Sequence, residues 1–166
     1  VGAAYSPAEW SSFFSAQTGA SAALTGLIFV AVSINLAQIV AVPHLIVRSA
    51  KALFTMVGIL LASTLCMVPA QPVRRLGVEL IVLGAAVWAA TTWAGWAASH
   101  GNPYVGRGTR IQQAVLTQLS GLPALVGGLS LVLVRGGGLE WLVAGAVFSY
   151  VAALLDAWVL LIEIHR

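Results

Sequence analysis

The chain has 166 residues, 60% of them hydrophobic and 8% charged, with a net charge of +3 and one cysteine; its mean hydropathy is +0.96. A soluble domain carries about 25% charged residues, so there is too little charge here to coat a water-facing surface, and an ordinary soluble globule is excluded. The single cysteine excludes an internal disulfide framework and a redox pair of the CxxC type.

In chain order, the first signal is Ser6-Pro7-Ala8-Glu9, followed by Trp10, Phe13 and Phe14. Serine with glutamate three residues later is a capping box, and Pro7 falls at the first helical position, where its missing N–H costs nothing. A helix is therefore predicted to start at Ser6. Continued to Val42 it would be ~55 Å long at 1.5 Å per residue, longer than a bilayer is thick. Residues 6–19 are accordingly expected to form an interfacial helix, with a break near Gly19 and the aromatic cluster at headgroup level. The alternative is a plain extension of the first span. The segment is not read as a secretory signal, since Glu9 stands where a basic start belongs.

Five apolar stretches follow, at residues 20–42, 49–68, 76–98, 111–134 and 139–164. Each exceeds the roughly 20 residues needed to cross about 30 Å of hydrocarbon as a helix. Helices are expected because every amide must be paired within the element in lipid, and the alternation of a membrane strand is absent. The fold class is thus an all-α integral membrane protein, a single domain with a bundle of five transmembrane helices. Arg48, Lys51, Arg107, Arg110 and Arg166 fall on one side of such a bundle and Arg74, Arg75 and Arg135 on the other. That bias predicts the N-terminus outside and the C-terminus cytoplasmic. The basic residues are spread over both sides, which reads as membrane anchoring and not as a nucleic-acid surface.

Polar residues at membrane depth are the functional leads, because they are expensive there. In the first span Thr25, Asn35 and Gln38 are expected to make interhelical hydrogen bonds, and Gln113 and Thr117 of the fourth span likewise. Glu79 opens the third span four residues after Arg75 and reads as a structural pair. The third span ends in Trp93 and Trp96, an aromatic belt, with Trp88 deeper; Trp141 belongs to the opposite belt. In the fourth span Ser120 and Gly121 precede Pro123, which removes an N–H and is expected to kink the helix and free a carbonyl near Leu119. In the fifth, Ser149, Asp156 and Glu163 are spaced by seven and share one face. Asp156 has no basic neighbour within a turn of its own helix. Either this face lines a polar path for ions or protons, or Asp156 is a packing residue inside the bundle.

The histidines, His44, His100 and His165, all fall on the predicted cytoplasmic side and are candidate metal ligands, although none has ligand-type local spacing. There is no GxxxxGK[ST], HExxH, GxSxG or post-strand GxGxxG signature. Cys66 lies in an apolar stretch and reads as a small buried hydrophobe. The expectation is that the chain is not an enzyme and carries no cofactor.

Residues 20–36, ASAALTGLIFVAVSINL, residues 156–164, DAWVLLIEI, and the Gly77-Val78-Glu79-Leu80 opening of the third span resemble a group of small bacterial, largely actinobacterial, integral membrane proteins, some of which carry the automatic label "modulator of FtsH protease". The resemblance spans nearly the whole chain and implies a bacterial inner-membrane location.

These readings lead to two expectations. The first is a homo-oligomeric channel or permeation protein for ions or protons, because the small-residue faces exceed what one bundle needs. Its path runs along Ser149, Asp156, Glu163, Ser120 and Gly121. The second is a non-catalytic regulator or accessory subunit whose small-residue faces meet a partner membrane protein. The bilayer is a partner in both.

Overall fold

A computed structural model describes residues 2–100 and 106–164, with the backbone alone of residues 98–100, 109 and 159–164. Two short 3-10 turns, Ala3–Tyr5 and Pro7–Trp10, lead into six helices: α1 (Ser11–Ile34), α2 (Leu36–Ala41), α3 (Pro43–Cys66), α4 (Val73–His100), α5 (Arg107–Leu133) and α6 (Glu140–Ile164). Five segments are long and apolar enough to cross a membrane, Pro7–Ile34, Pro43–Cys66, Val73–Ala97, Arg110–Leu133 and Glu140–Trp158. No strand occurs among the described residues.

The helical start falls where the sequence predicts it, with Pro7 in the first turn, but the Ser6 side chain makes no capping hydrogen bond. Two other expectations for this region are corrected. The helix does not break near Gly19; it runs without interruption to Ile34. One glycine costs about 1 kcal/mol in a helix, which a packed helix absorbs. The break falls instead at Asn35, where the Ala31 carbonyl accepts both the Asn35 backbone N–H and its side-chain amide, at 3.3 and 2.9 Å. An amide that competes locally for backbone partners is a recognised helix interrupter. Val42 is then extended, as the residue before Pro43 must be.

The first long apolar helical segment is therefore residues 7–34 and not 20–42, the second begins at Pro43 and not near residue 49, and 6–19 is no separate helix. Phe14 shows why. It is 2% exposed, in one core with Cys66, Leu76, Leu80, Leu131, Leu139 and Leu142. The Trp10 ring packs against it tilted and the Phe13 ring edge-on.

The packing partners define a ring. α3 packs on α4, α4 on α5, α5 on α6, and α6 returns to α3; α1 lies outside this ring against α3. Ile28 and the partly buried Leu24 meet Ala52, Met56, Ile59 and Ala153 at that flank. α4 and α5 bring their backbones together at two glycines. A Cβ on Gly77 would lie 2.7 Å from the Gly128 carbonyl oxygen, and one on Gly128 would lie 2.8 Å from that of Gly77. Small residues that let two backbones touch are the usual basis of helix association in lipid, where no hydrophobic force draws helices together.

The α5–α6 turn is clasped by the N-terminal segment. Leu139 N–H donates to the Ala4 carbonyl at 2.8 Å, and Gly137 N–H donates to Tyr5 Oη at 3.1 Å. Val134, Gly136, Gly137 and Gly138 all have positive φ. At Gly138 a Cβ would fall 2.2 Å from the Ala4 oxygen, so both backbone conformation and space require glycine.

Candidate functional site

α1 and α3 to α6 together line a small, partly open and mostly apolar cavity of ≈ 60 Å³. Its polar lining comes from every spanning helix: Gln17 of α1, Thr55 and Ser63 of α3, Thr91 of α4, Ser120 of α5 and Ser149 of α6. Glycines at 58, 84, 121 and 145 line the same space. Their faces are occupied by neighbours within the chain: a Cβ on Gly58 would meet Val87, on Gly121 Trp88, and on Gly145 Pro123. The hydroxyls hold on to backbone carbonyls. Thr55 donates to Lys51 at 2.9 Å, Thr91 to Val87 at 2.8 Å, Ser120 to Thr117 at 3.0 Å, and Ser149 crosses to Ser120 at 3.4 Å. These bonds let the hydroxyl be buried without a stranded donor.

Two turns beyond Ser149 on α6 is Asp156, 5% exposed. It is not without a basic partner. Arg48 Nε donates to Asp156 Oδ1 at 3.0 Å, and Lys51 Nζ lies 3.4 Å from Oδ2. Both cations come from α3, so the cluster ties α3 to α6 across the closing seam of the ring. Lys51 is 6% exposed and Asp156 only slightly less. Arg48 and Lys51 are three apart and so share a helix face; eight residues separate Pro43 from Lys51, about 12 Å along the axis. These two residues are thus interior groups and not loop anchors.

The other predicted site residues separate into groups. Ser120, Gly121 and Ser149 line the cavity together. The Glu163 side chain lies outside the described residues, as do those of His100 and His165. His44 is described and has an interaction partner; no group of three His, Cys, Asp or Glu side chains that could hold a metal occurs among the described residues. The expected interhelical hydrogen bonds of α1 and α5 are corrected. Thr25 bonds to the Ser21 carbonyl, Asn35 to Ala31 and Thr117 to Gln113, all on their own helices. Gln38 is exposed, and neither it nor Gln113 makes a side-chain hydrogen bond to another helix among the described residues. A Thr, Ser or Asn inside a helix finds the carbonyl one turn back before it finds a neighbour.

The interhelical polar contacts lie elsewhere. Trp88 Nε1 donates to Gln118 Oε1 at 2.7 Å between α4 and α5, and Tyr150 Oη to the Gln17 carbonyl at 3.4 Å between α6 and α1. Glu79 accepts from Arg75 at 2.9 Å on its own helix, the pairing its spacing predicts. Gln118 and the Arg48/Lys51 pair were missed by sequence reasoning. A signal existed for the latter: two cations on one helix face and a single carboxylate at comparable depth elsewhere in the chain.

On α6 the inward side carries Gly145, Ala146, Ser149, Ala152, Ala153 and Asp156, and the outward side Val147, Val151, Leu154, Leu155 and Trp158. The arrangement is thus a lined cavity with a buried three-charge cluster beyond one end. Comparison with known protein families, with curated proteins and with solved structures finds no match for this chain.

Proposed function

We propose that the protein is a small bacterial inner-membrane permeation protein for ions, with the path inside each chain. The observation that carries this is a succession of polar groups inside the bundle, with Ser149, Ser120 and Thr55 at the mostly apolar cavity and Lys51, Arg48 and Asp156 beyond it. Thr55 lies one turn, about 6 Å, from Lys51. Charged side chains at membrane depth are costly and characteristically mark ion paths. The small-residue faces of α3 to α6 close the ring itself, so the path needs no axis shared between copies. Ion flux from proteoliposomes tests the reading. Ser149→Leu places a larger apolar side chain at the cavity and is expected to abolish flux with the helical content and melting temperature retained; undiminished flux through a folded Ser149→Leu protein overturns it.

One observation favours the second reading, an accessory subunit of a larger membrane complex of the protease-modulator kind. α1 leaves Gly19 and Gly26 with nothing within 4 Å, and Ala23 between them is exposed. Small residues left open in this way suit the close approach of another helix, from a partner or a second copy. Gly19→Leu and Gly26→Leu separate the readings: loss of assembly with flux intact assigns α1 to assembly, whether with another protein or with another copy, and the path to the ring.

A further inference from the structure

The cluster beyond the cavity is unbalanced. Among the described residues it sets two cations, Arg48 and Lys51, against one carboxylate, Asp156. Both carboxylate oxygens are engaged, one by each cation. Arg offers five N–H donors and Lys three. Arg48 uses Nε on Asp156, and no further acceptor for its other N–H groups, or for the rest of the Lys51 ammonium, is found among the described residues. The Arg48 side chain is 18% exposed against 8% for Lys51, so of the two cations Arg48 is the more accessible from outside the bundle. Ser and Thr hydroxyls serve as donors or acceptors alike, so the cavity lining does not choose the sign of an ion. The cluster does.

We infer that the guanidinium of Arg48 and the ammonium of Lys51 bind a small inorganic anion, and that the species admitted along the path is anionic. The second half rests on the permeation reading; the first does not. An anion accepted by the unused donors brings the cluster to charge balance. Asp156 then has a definite part: it holds the two cations in place and weakens their grip, so that an anion enters and also leaves, as conduction requires. A cation approaching the same point meets two like charges within reach and one carboxylate already occupied.

Two measurements on the full-length protein separate the halves. In detergent, the melting temperature is followed against chloride or inorganic phosphate, with gluconate as the bulky reference. Saturable stabilisation by the small anion, lost in Lys51→Gln and in Arg48→Gln, is the expected result; equal response to gluconate, or an unchanged response in both variants, overturns the anion site. In planar bilayers under a potassium chloride gradient, the chloride-to-potassium permeability ratio is expected to exceed unity and to fall several-fold in Lys51→Gln. Conduction that favours potassium, with no small-anion stabilisation, refutes the inference and leaves the permeation reading standing. Absence of any flux with stabilisation intact refutes the permeation reading and keeps the site. Stabilisation by short-chain phosphatidylglycerol in place of chloride identifies a lipid phosphate on the cluster and overturns the permeant assignment.

Discussion

Neutralising Asp156 is the most informative single change. Asp156→Asn keeps size and shape but removes the only carboxylate facing Arg48 and Lys51 among the described residues. The three side chains are between 7% and 18% exposed, so solvent screens the lost charge poorly. Removing one partner of a buried ion pair typically costs about 3–5 kcal/mol, because the remaining charge stays buried without compensation. Here two cations are left, one of them more exposed and able to turn outward along its apolar stem, as long basic side chains do. The expected loss is therefore in the lower half of that range, about 3 kcal/mol. The assay is reversible unfolding in mixed micelles, read by the near-ultraviolet signal of the six tryptophans. A companion variant, Arg48→Met with Lys51→Met and Asp156→Leu, removes all three charges and is expected to be within about 1 kcal/mol of the parent, or more stable, since apolar replacement of a whole buried ion cluster is commonly neutral or favourable. Loss below about 1 kcal/mol in Asp156→Asn, or a triple variant as unstable as the single one, refutes the premise that the cluster is desolvated and mutually compensating.

Three further changes test the packing. Gly77→Val forces a side chain against the Gly128 carbonyl, where even a Cβ would sit at 2.7 Å; overpacking of this kind costs about 1–3 kcal/mol, and a melting temperature equal to the parent's would show that α4 and α5 do not meet there. Gly138→Ala combines a positive φ with a Cβ 2.2 Å from the Ala4 oxygen, so it should release the N-terminal segment, seen as faster cleavage before Ser11 in limited proteolysis. Tyr5→Phe removes the acceptor of the Gly137 N–H and should cost about 1 kcal/mol, the usual net worth of a hydrogen bond, again with faster cleavage at the N-terminal segment; equal rates would show that the clasp does not hold the turn.

The five long apolar helices are legible in composition and run length alone, because each stretch far exceeds what a soluble core needs. Their register at the N-terminal end is not. Gly19 carries the stronger sign of a break in the sequence, yet Asn35 makes one, since what stops the helix is a side-chain donor competing for a backbone carbonyl and not merely a permissive residue. The inward face of α6 follows from the seven-residue spacing of Ser149 and Asp156, because that periodicity is a property of the helix itself. The partners of Asp156 do not follow: Arg48 and Lys51 are 108 and 105 positions away in the chain, and at the mouth of a span a basic residue reads as an anchor until the neighbouring helix is known. For the same reason Gln118 was invisible as the acceptor for Trp88.

Closure of the ring bears on why the three charges are present at all. α3 and α6 are the pair that completes it, and their shared core is small, centred on Ala52, Met56, Ile59 and Ala153. An ion cluster at this seam fixes which residues meet, because a shift of one turn would strand two cations and a carboxylate apart. It is a poor source of net stability, since desolvation offsets most of the attraction. A seam that needed only adhesion would be served by leucine and glycine, as the α4–α5 contact at Gly77 and Gly128 illustrates. If the apolar triple variant folds as stably as the parent, specificity of register and interaction with an ion remain as the functions of the cluster, and they separate cleanly. A register role predicts that the triple variant loses flux together with correct α3–α6 proximity, measured by crosslinking between cysteines placed on the two helices. An ion-handling role predicts flux lost with that proximity unchanged.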